Sequence, residues 1–141
     1  MTTVAYRDGV LAADSQATNA DLRTGTAQKV FGLHDGSLAA GLGAACQALP
    51  LIEWLRNGKQ GERPPTGDGA VIHVEADDKI TVYDSGGWQE LDRQPFRAWG
   101  SGAGLALGAM SAGASAEEAV AIAIRFDIYS GFPVSSAGLR A

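Results

Sequence analysis

The sequence predicts an α+β domain in which helices pack on stacked antiparallel sheets. Two observations carry that prediction. Pairs of short apolar stretches joined by polar or Gly-containing turns occur three times, and three segments with helical spacing or composition separate or follow them. Hairpins of this kind imply antiparallel pairing with one buried face.

The elements follow in chain order. Thr2, Val4 and Tyr6 point one way and Thr3, Ala5 and Arg7 the other, as a strand requires. Asp8-Gly9 tolerates the positive φ of a type I′ turn, and Val10 to Ala13 returns as the second strand. A second hairpin runs from Lys29 to Leu33, turns at His34-Asp35-Gly36 and returns from Ser37 to Leu42. A third pairs Ala70 to Val74 with Lys79 to Tyr83 across the turn Glu75 to Asp78. Between them, Ala44 to Asn57 carries Ala45, Ala48, Leu49, Ile52 and Leu55 on one helical stripe. Pro50 inside it predicts a kink or a late start. Gly58 to Gly69 mixes Gly, Pro and charge without periodicity and is a loop. Gly104 to Met110 is a small-residue helix. Ser115-Ala116-Glu117-Glu118 places a capping hydroxyl and first-turn carboxylates ahead of a helix over Ala119 to Phe126. Phe132-Pro133-Val134-Ser135 ends the chain as an edge strand, where proline is tolerated.

Composition bounds the function. The 141 residues, 45% hydrophobic and 19% charged, form a single domain over 1–141. At this length folding removes roughly two-thirds of the unfolded surface, so no disulfide or metal staple is needed. The 11 Lys and Arg against 16 Asp and Glu leave a net charge of −5, which favours neither nucleic acid nor an anionic membrane as partner. The lone Cys46 excludes an intramolecular disulfide and a Cys-rich zinc site, and fits a reducing compartment. No apolar run reaches the ~18–20 residues of a membrane span. Met1 to Arg7 has neither the basic nor the apolar region of a signal peptide, so a cytoplasmic location is expected.

The common enzyme motifs are absent. Gly100-Ser101-Gly102-Ala103-Gly104, between a strand and a helix, has leucine at 105 and at 107, the positions where a dinucleotide fingerprint needs its last glycine. A nucleophile elbow around Ser101 would need glycine at Trp99 and Ala103. Gly58-Lys59 continues with Gln60, which is no phosphate-binding loop. His34 and His73 have no partner at metal-ligand spacing. Thr2 follows Met1, and a small residue there permits methionine removal. A threonine exposed in that way carries a hydroxyl and an α-amine of pKa about 7.7–8.0, a nucleophile and a general base on one residue. On Thr2 alone, the start of an edge strand is the ordinary reading.

The surroundings of Thr2 change that reading. The run Thr2-Thr3-Val4-Ala5-Tyr6-Arg7-Asp8-Gly9, followed by Ala13-Asp14-Ser15-Gln16-Ala17-Thr18, resembles the opening of proteasome β-subunits and, most closely, of HslV-type peptidases. Gln28-Lys29-Val30 and Ala40-Gly41 are similar to that family's Lys-Val and Ala-Gly. Trp99-Gly100-Ser101-Gly102 resembles its Gly-Ser-Gly, and Asp127-Ile128-Tyr129-Ser130-Gly131 its Asp-x-x-Ser-Gly. These elements recur in order over nearly the whole chain. The resemblance implies an N-terminal-nucleophile-hydrolase-like four-layer αββα sandwich with a reduced set of helices, because the loop Gly58 to Gly69 stands where such relatives carry a second helix.

It also implies roles. Thr2 is the nucleophile. Lys29 lowers the pKa of the attacking oxygen, and Asp14 keeps Lys29 charged. Gly41 offers its N–H to the oxyanion. Ser101, Asp127 and Ser130 surround the α-amine, while Ala17, Ala27, Ala39 and Gly43 line an apolar pocket for the residue before the scissile bond. The expected activity is a threonine-type endopeptidase needing no cofactor. It would act on unfolded polypeptide inside a homo-oligomeric ring, with an ATP-dependent unfoldase as possible partner. The alternatives are a small-molecule amidase or acylase with the same nucleophile and a silent structural ring subunit. Thr2, Asp14 and Lys29 together argue against the silent subunit.

Overall fold

Asp8 and Gly9 take positive φ, 51° and 78°, and fold β1 (Thr3–Arg7) back on β2 (Val10–Ala13), with Val4 opposite Ala13 and Arg7 opposite Val10. This computed structural model describes residues 2–139. β10 (Phe96–Gly100) pairs with the free edge of β1 and β11 (Ser135–Gly138) with that of β2, giving an antiparallel sheet in the order β10-β1-β2-β11. The last strand therefore lies later than the predicted Phe132 to Ser135. Pro133 has no N–H to donate, and pairing starts with Ser135 opposite Ala13.

The other two predicted hairpins join one five-stranded antiparallel sheet. It contains β5 (Val30–Gly32), β6 (Leu38–Leu42), β7 (Ala70–Val74), β8 (Ile80–Asp84) and β9 (Gly87–Glu90), in that order. β9 and the two-stranded ribbon of β3 (Gln16–Asn19) and β4 (Leu22–Thr26) are additions to the predicted set.

Strand alternation gives each large sheet two working faces, and three apolar clusters result. Val4, Tyr6 and Leu11 of the four-stranded sheet meet Leu38, Ile72 and Val74 of the five-stranded one. On the far face of the five-stranded sheet, α1 (Ala45–Arg56) lays Ala48, Leu51, Ile52 and Leu55 on Ala39 and Val71. On the far face of the four-stranded sheet, α2 (Ala103–Ser111) and α3 (Ala116–Phe126) lay Ala106, Met110, Ala119 and Val120 on Ala5 and Ala12. Burying each larger side chain contributes about 1.5–3 kcal/mol. Tyr6 adds a polar tie between the layers by donating to Asp78 beyond β7, and burial, reinforced by that carboxylate, pushes its phenol pKa upward.

α1 does not start late. It begins at Ala45, with Pro50 in its second turn. Its buried stripe is rotated from the predicted one: Leu51 enters the core, whereas Ala45 and Leu49 border a pocket. Among the described residues no helix is long and apolar enough to cross a membrane.

Candidate active site

Thr2 stands immediately before β1 and is 3% exposed. With Lys29, Ala17, Ala27 and Gly43 it borders a cavity of about 140 Å³, lined also by Ala48 and Ile52 of α1. Met1, whose removal would free the Thr2 amine, lies outside the described residues.

Asp14 follows β2 directly, so the strand carries its carboxylate to the end of the sheet, where it is 0% exposed. A buried carboxylate must be paired and hydrogen-bonded, or its desolvation cost goes unmet. Here four donors converge on it. Oδ1 accepts from the Thr3 N–H (3.0 Å) and the Lys29 ammonium (2.9 Å), and Oδ2 from the N–H groups of Gln16 (3.1 Å) and Gly131 (3.0 Å). The Lys29 side chain, 10% exposed, is thereby fixed at the edge of the cavity.

A second polar chain lies behind Thr2. The Thr3 hydroxyl is 2.7 Å from Ser130 Oγ, Ser130 donates to Asp127 Oδ2 (2.6 Å), and Ser101 donates to the same oxygen (2.7 Å). With Ser130 committed to Asp127, Thr3 is the donor in the first of these bonds. Ser101 Oγ is also 3.4 Å from the Thr2 carbonyl oxygen. Burial opposes the charge on Asp127, but the hydrogen bonds from Ser130, Ser101 and the Tyr129 N–H outweigh it and hold its carboxyl below the usual range. The glycines flanking Ser101 have a steric cause. A Cβ at Gly100 would sit 1.8 Å from the Thr2 carbonyl oxygen, and one at Gly102 would sit 2.0 Å from Thr3 Oγ1. Thr3, Gln16 and Gly131 belong to these networks although sequence reasoning did not single them out.

Two predicted positions need correction. Gly41 borders the cavity, but its N–H donates to the Lys29 carbonyl at 3.0 Å and is not available to a ligand. Gly43 lies two residues further along the chain, just after β6 and beyond the level at which β5 starts, with φ of 86°. Gly43 is exposed and borders the cavity, and its N–H has no partner among the described residues. Ala39 does not line the cavity; it is 0% exposed beneath α1. Ala17, Ala27 and Gly43 do line it. Among the described residues no group of His, Cys, Asp and Glu could hold a metal ion.

The arrangement of antiparallel sheets and three helices defines an HslV-type fold. The structure of the eukaryotic HslV from Trypanosoma brucei matches with a TM-score of 0.70 at 18% identity, over 97% of this chain and 98% of that one. BPH from Thiobacillus denitrificans matches with a TM-score of 0.68 at 23% identity, over 99% of this chain and 98% of that one. The same BPH in complex with epoxomicin gives a TM-score of 0.69 at 23% identity, over 99% of both chains. At these identities the likeness is one of fold. No family model and no curated protein matches the sequence.

Proposed function

We propose that this protein is a threonine-type peptidase whose nucleophile is Thr2 after loss of Met1. The observation that carries the reading is that Thr2, a carboxylate-held Lys29 and Gly43, whose N–H has no partner among the described residues, border one cavity. The Thr2 hydroxyl attacks a peptide carbonyl, and the freed α-amine takes its proton. The Lys29 ammonium favours the developing alkoxide, and its bond to Asp14 fixes its position. Gly43, in place of Gly41, donates to the oxyanion. The amine passes its proton to the leaving nitrogen, which breaks the C–N bond, and water then hydrolyses the Thr2 ester. Asp127, Ser130 and Ser101 orient the amine.

The apolar part of the cavity lining, Ala17, Ala27, Phe31, Ala48, Leu49 and Ile52, supports a preference for large apolar side chains before the scissile bond, with Gln16, Thr18, Gln28 and Lys29 as its polar part. No cofactor takes part. The succession of apolar clusters supports a four-layer sandwich. Fold likeness to HslV supports a cytoplasmic homo-oligomeric ring acting on unfolded chains, with an ATP-driven unfoldase as partner. The epoxomicin complex of the BPH neighbour supports a peptide epoxyketone as the probe.

Intact mass should show Met1 removed, and a peptide epoxyketone should add one equivalent to Thr2. Thr2→Ala should abolish the adduct with the fold retained. Labelling that survives Thr2→Ala removes Thr2 from its role, and acylase turnover without peptide cleavage selects a small-molecule amidase.

A further inference from the structure

The loop Gly58 to Gly69 reads in sequence as a featureless connection. Its last residues are instead packed against the cavity rim. Thr66 is 1% exposed, and the Gly69 N–H donates to its carbonyl at 3.0 Å. Gln47, in the first turns of α1, lies over Gly67, where a Cβ would come within 2.5 Å of its amide nitrogen. Leu42, at the end of β6, is in register with Ala70. Strand end, helix start and loop end therefore meet at one point.

We infer that Gly69 is a positioning residue for the Gly43 N–H, an inference that rests on that N–H being the oxyanion donor. The Leu42 carbonyl and the Gly43 N–H belong to one planar peptide unit, so whatever fixes the oxygen fixes the hydrogen. A Cβ at Gly69 would lie 2.7 Å from the Leu42 carbonyl oxygen and 3.3 Å from that of Thr66. Conversely, a Cβ at Gly43 would lie 2.9 Å from Gly69 Cα. The two glycines stand back to back, each filling the space the other's side chain would need. Gly69 is not among the glycines with positive φ. Its backbone angle would accept alanine; the Leu42–Gly43 peptide would not. That separates it from Gly67 and Gly58, whose φ of 57° and 73° alone favour glycine. Any side chain at 69 must push the Leu42 oxygen and tilt the Gly43 N–H away from where it points, while leaving Ala17, Ala27 and Ile52 in place.

The test is steady-state cleavage of a fluorogenic peptide by the Met1-free protein and two variants. Gly69→Ala should lower kcat by about 10²–10³-fold, the loss expected when one oxyanion donor is misplaced. KM should stay within about threefold, because the pocket walls do not move. Gln47→Ala introduces no overlap and only loosens the support of the loop; it should lower kcat by roughly tenfold with KM unchanged. A parent that cleaves, with a folded Gly69→Ala variant of equal kcat, overturns this inference alone. Should Gly69→Ala not fold, a Gln47→Ala variant with parental kcat overturns it. A parent that cleaves no peptide overturns the functional reading, and this inference with it.

Discussion

α3 and α1 begin in opposite ways. Each helix leaves its first N–H groups without intrahelical acceptors and a partial positive charge at that end. α3 spends them. Ser115 Oγ accepts the Glu118 N–H at 3.1 Å, Glu118 accepts the Ser115 N–H at 2.9 Å, and Glu117 adds a second first-turn carboxylate. α1 starts from Ala44, which has the extended backbone of a capping residue (φ −69°, ψ 133°) but no side chain that can cap, and its first turn holds no acid. The difference follows location. The α3 cap is exposed, whereas Ala44 and Ala45 border the cavity that Thr2 and Lys29 share. An acidic cap on α1 would place negative charge beside the cavity that Thr2 and Lys29 border, whereas the one on α3 faces solvent.

Exchanging the two solutions breaks the comparison most severely. Ala44→Asp should cap α1 and raise stability by about 1 kcal/mol in denaturant unfolding. The same carboxylate would occupy the rim and repel an oxyanion, so peptide cleavage should fall by about 10²-fold or more. A stabilised variant with full activity would separate the α1 terminus from the chemistry. Ser115→Ala should do the reverse, costing about 1 kcal/mol of unfolding free energy with kcat and KM unchanged. The smallest effect is in pH. The hydrogen bonds from Ser115 hold the Glu118 carboxyl below its ordinary value of 4.5. A depressed folded-state pKa stabilises above the unfolded value, and the gain disappears as pH falls through the folded one. Acid titration of stability should therefore flatten slightly below pH 4.5 in Glu118→Gln, and an unchanged curve would show the capping carboxylate to be idle.

How far the sequence reveals the molecule depends on what each segment has to bury. The hairpins at Asp8-Gly9, at His34 to Gly36 and at Glu75 to Asp78 are legible because each flanking strand has an apolar face in the core. The β3–β4 ribbon escapes notice for the opposite reason. Every residue of β4 is exposed, and its turn places Ala20 and Asp21, not glycine, at positive φ of 47° and 66°. At the candidate site, residue types with strong chemistry are legible: Asp14 and Lys29 do meet, at 2.9 Å, and Ser101, Asp127 and Ser130 share one oxygen. Glycine carries no such label. Gly41, inside β6, donates its N–H to the Lys29 carbonyl just ahead of β5, while Gly43, just past β6, meets no such acceptor among the described residues, and nothing in the residue type distinguishes the two. Ala39, on the same strand, turns its side chain to α1, which residue type alone does not reveal.

The Asp14 carboxylate gathers donors from residues 3, 16, 29 and 131. A chain emerging from the ribosome lacks the last of these until synthesis has passed residue 131. Any reactivity of Thr2 that depends on the completed cluster is therefore withheld during synthesis, and a molecule truncated before residue 131 would carry the threonine without its setting.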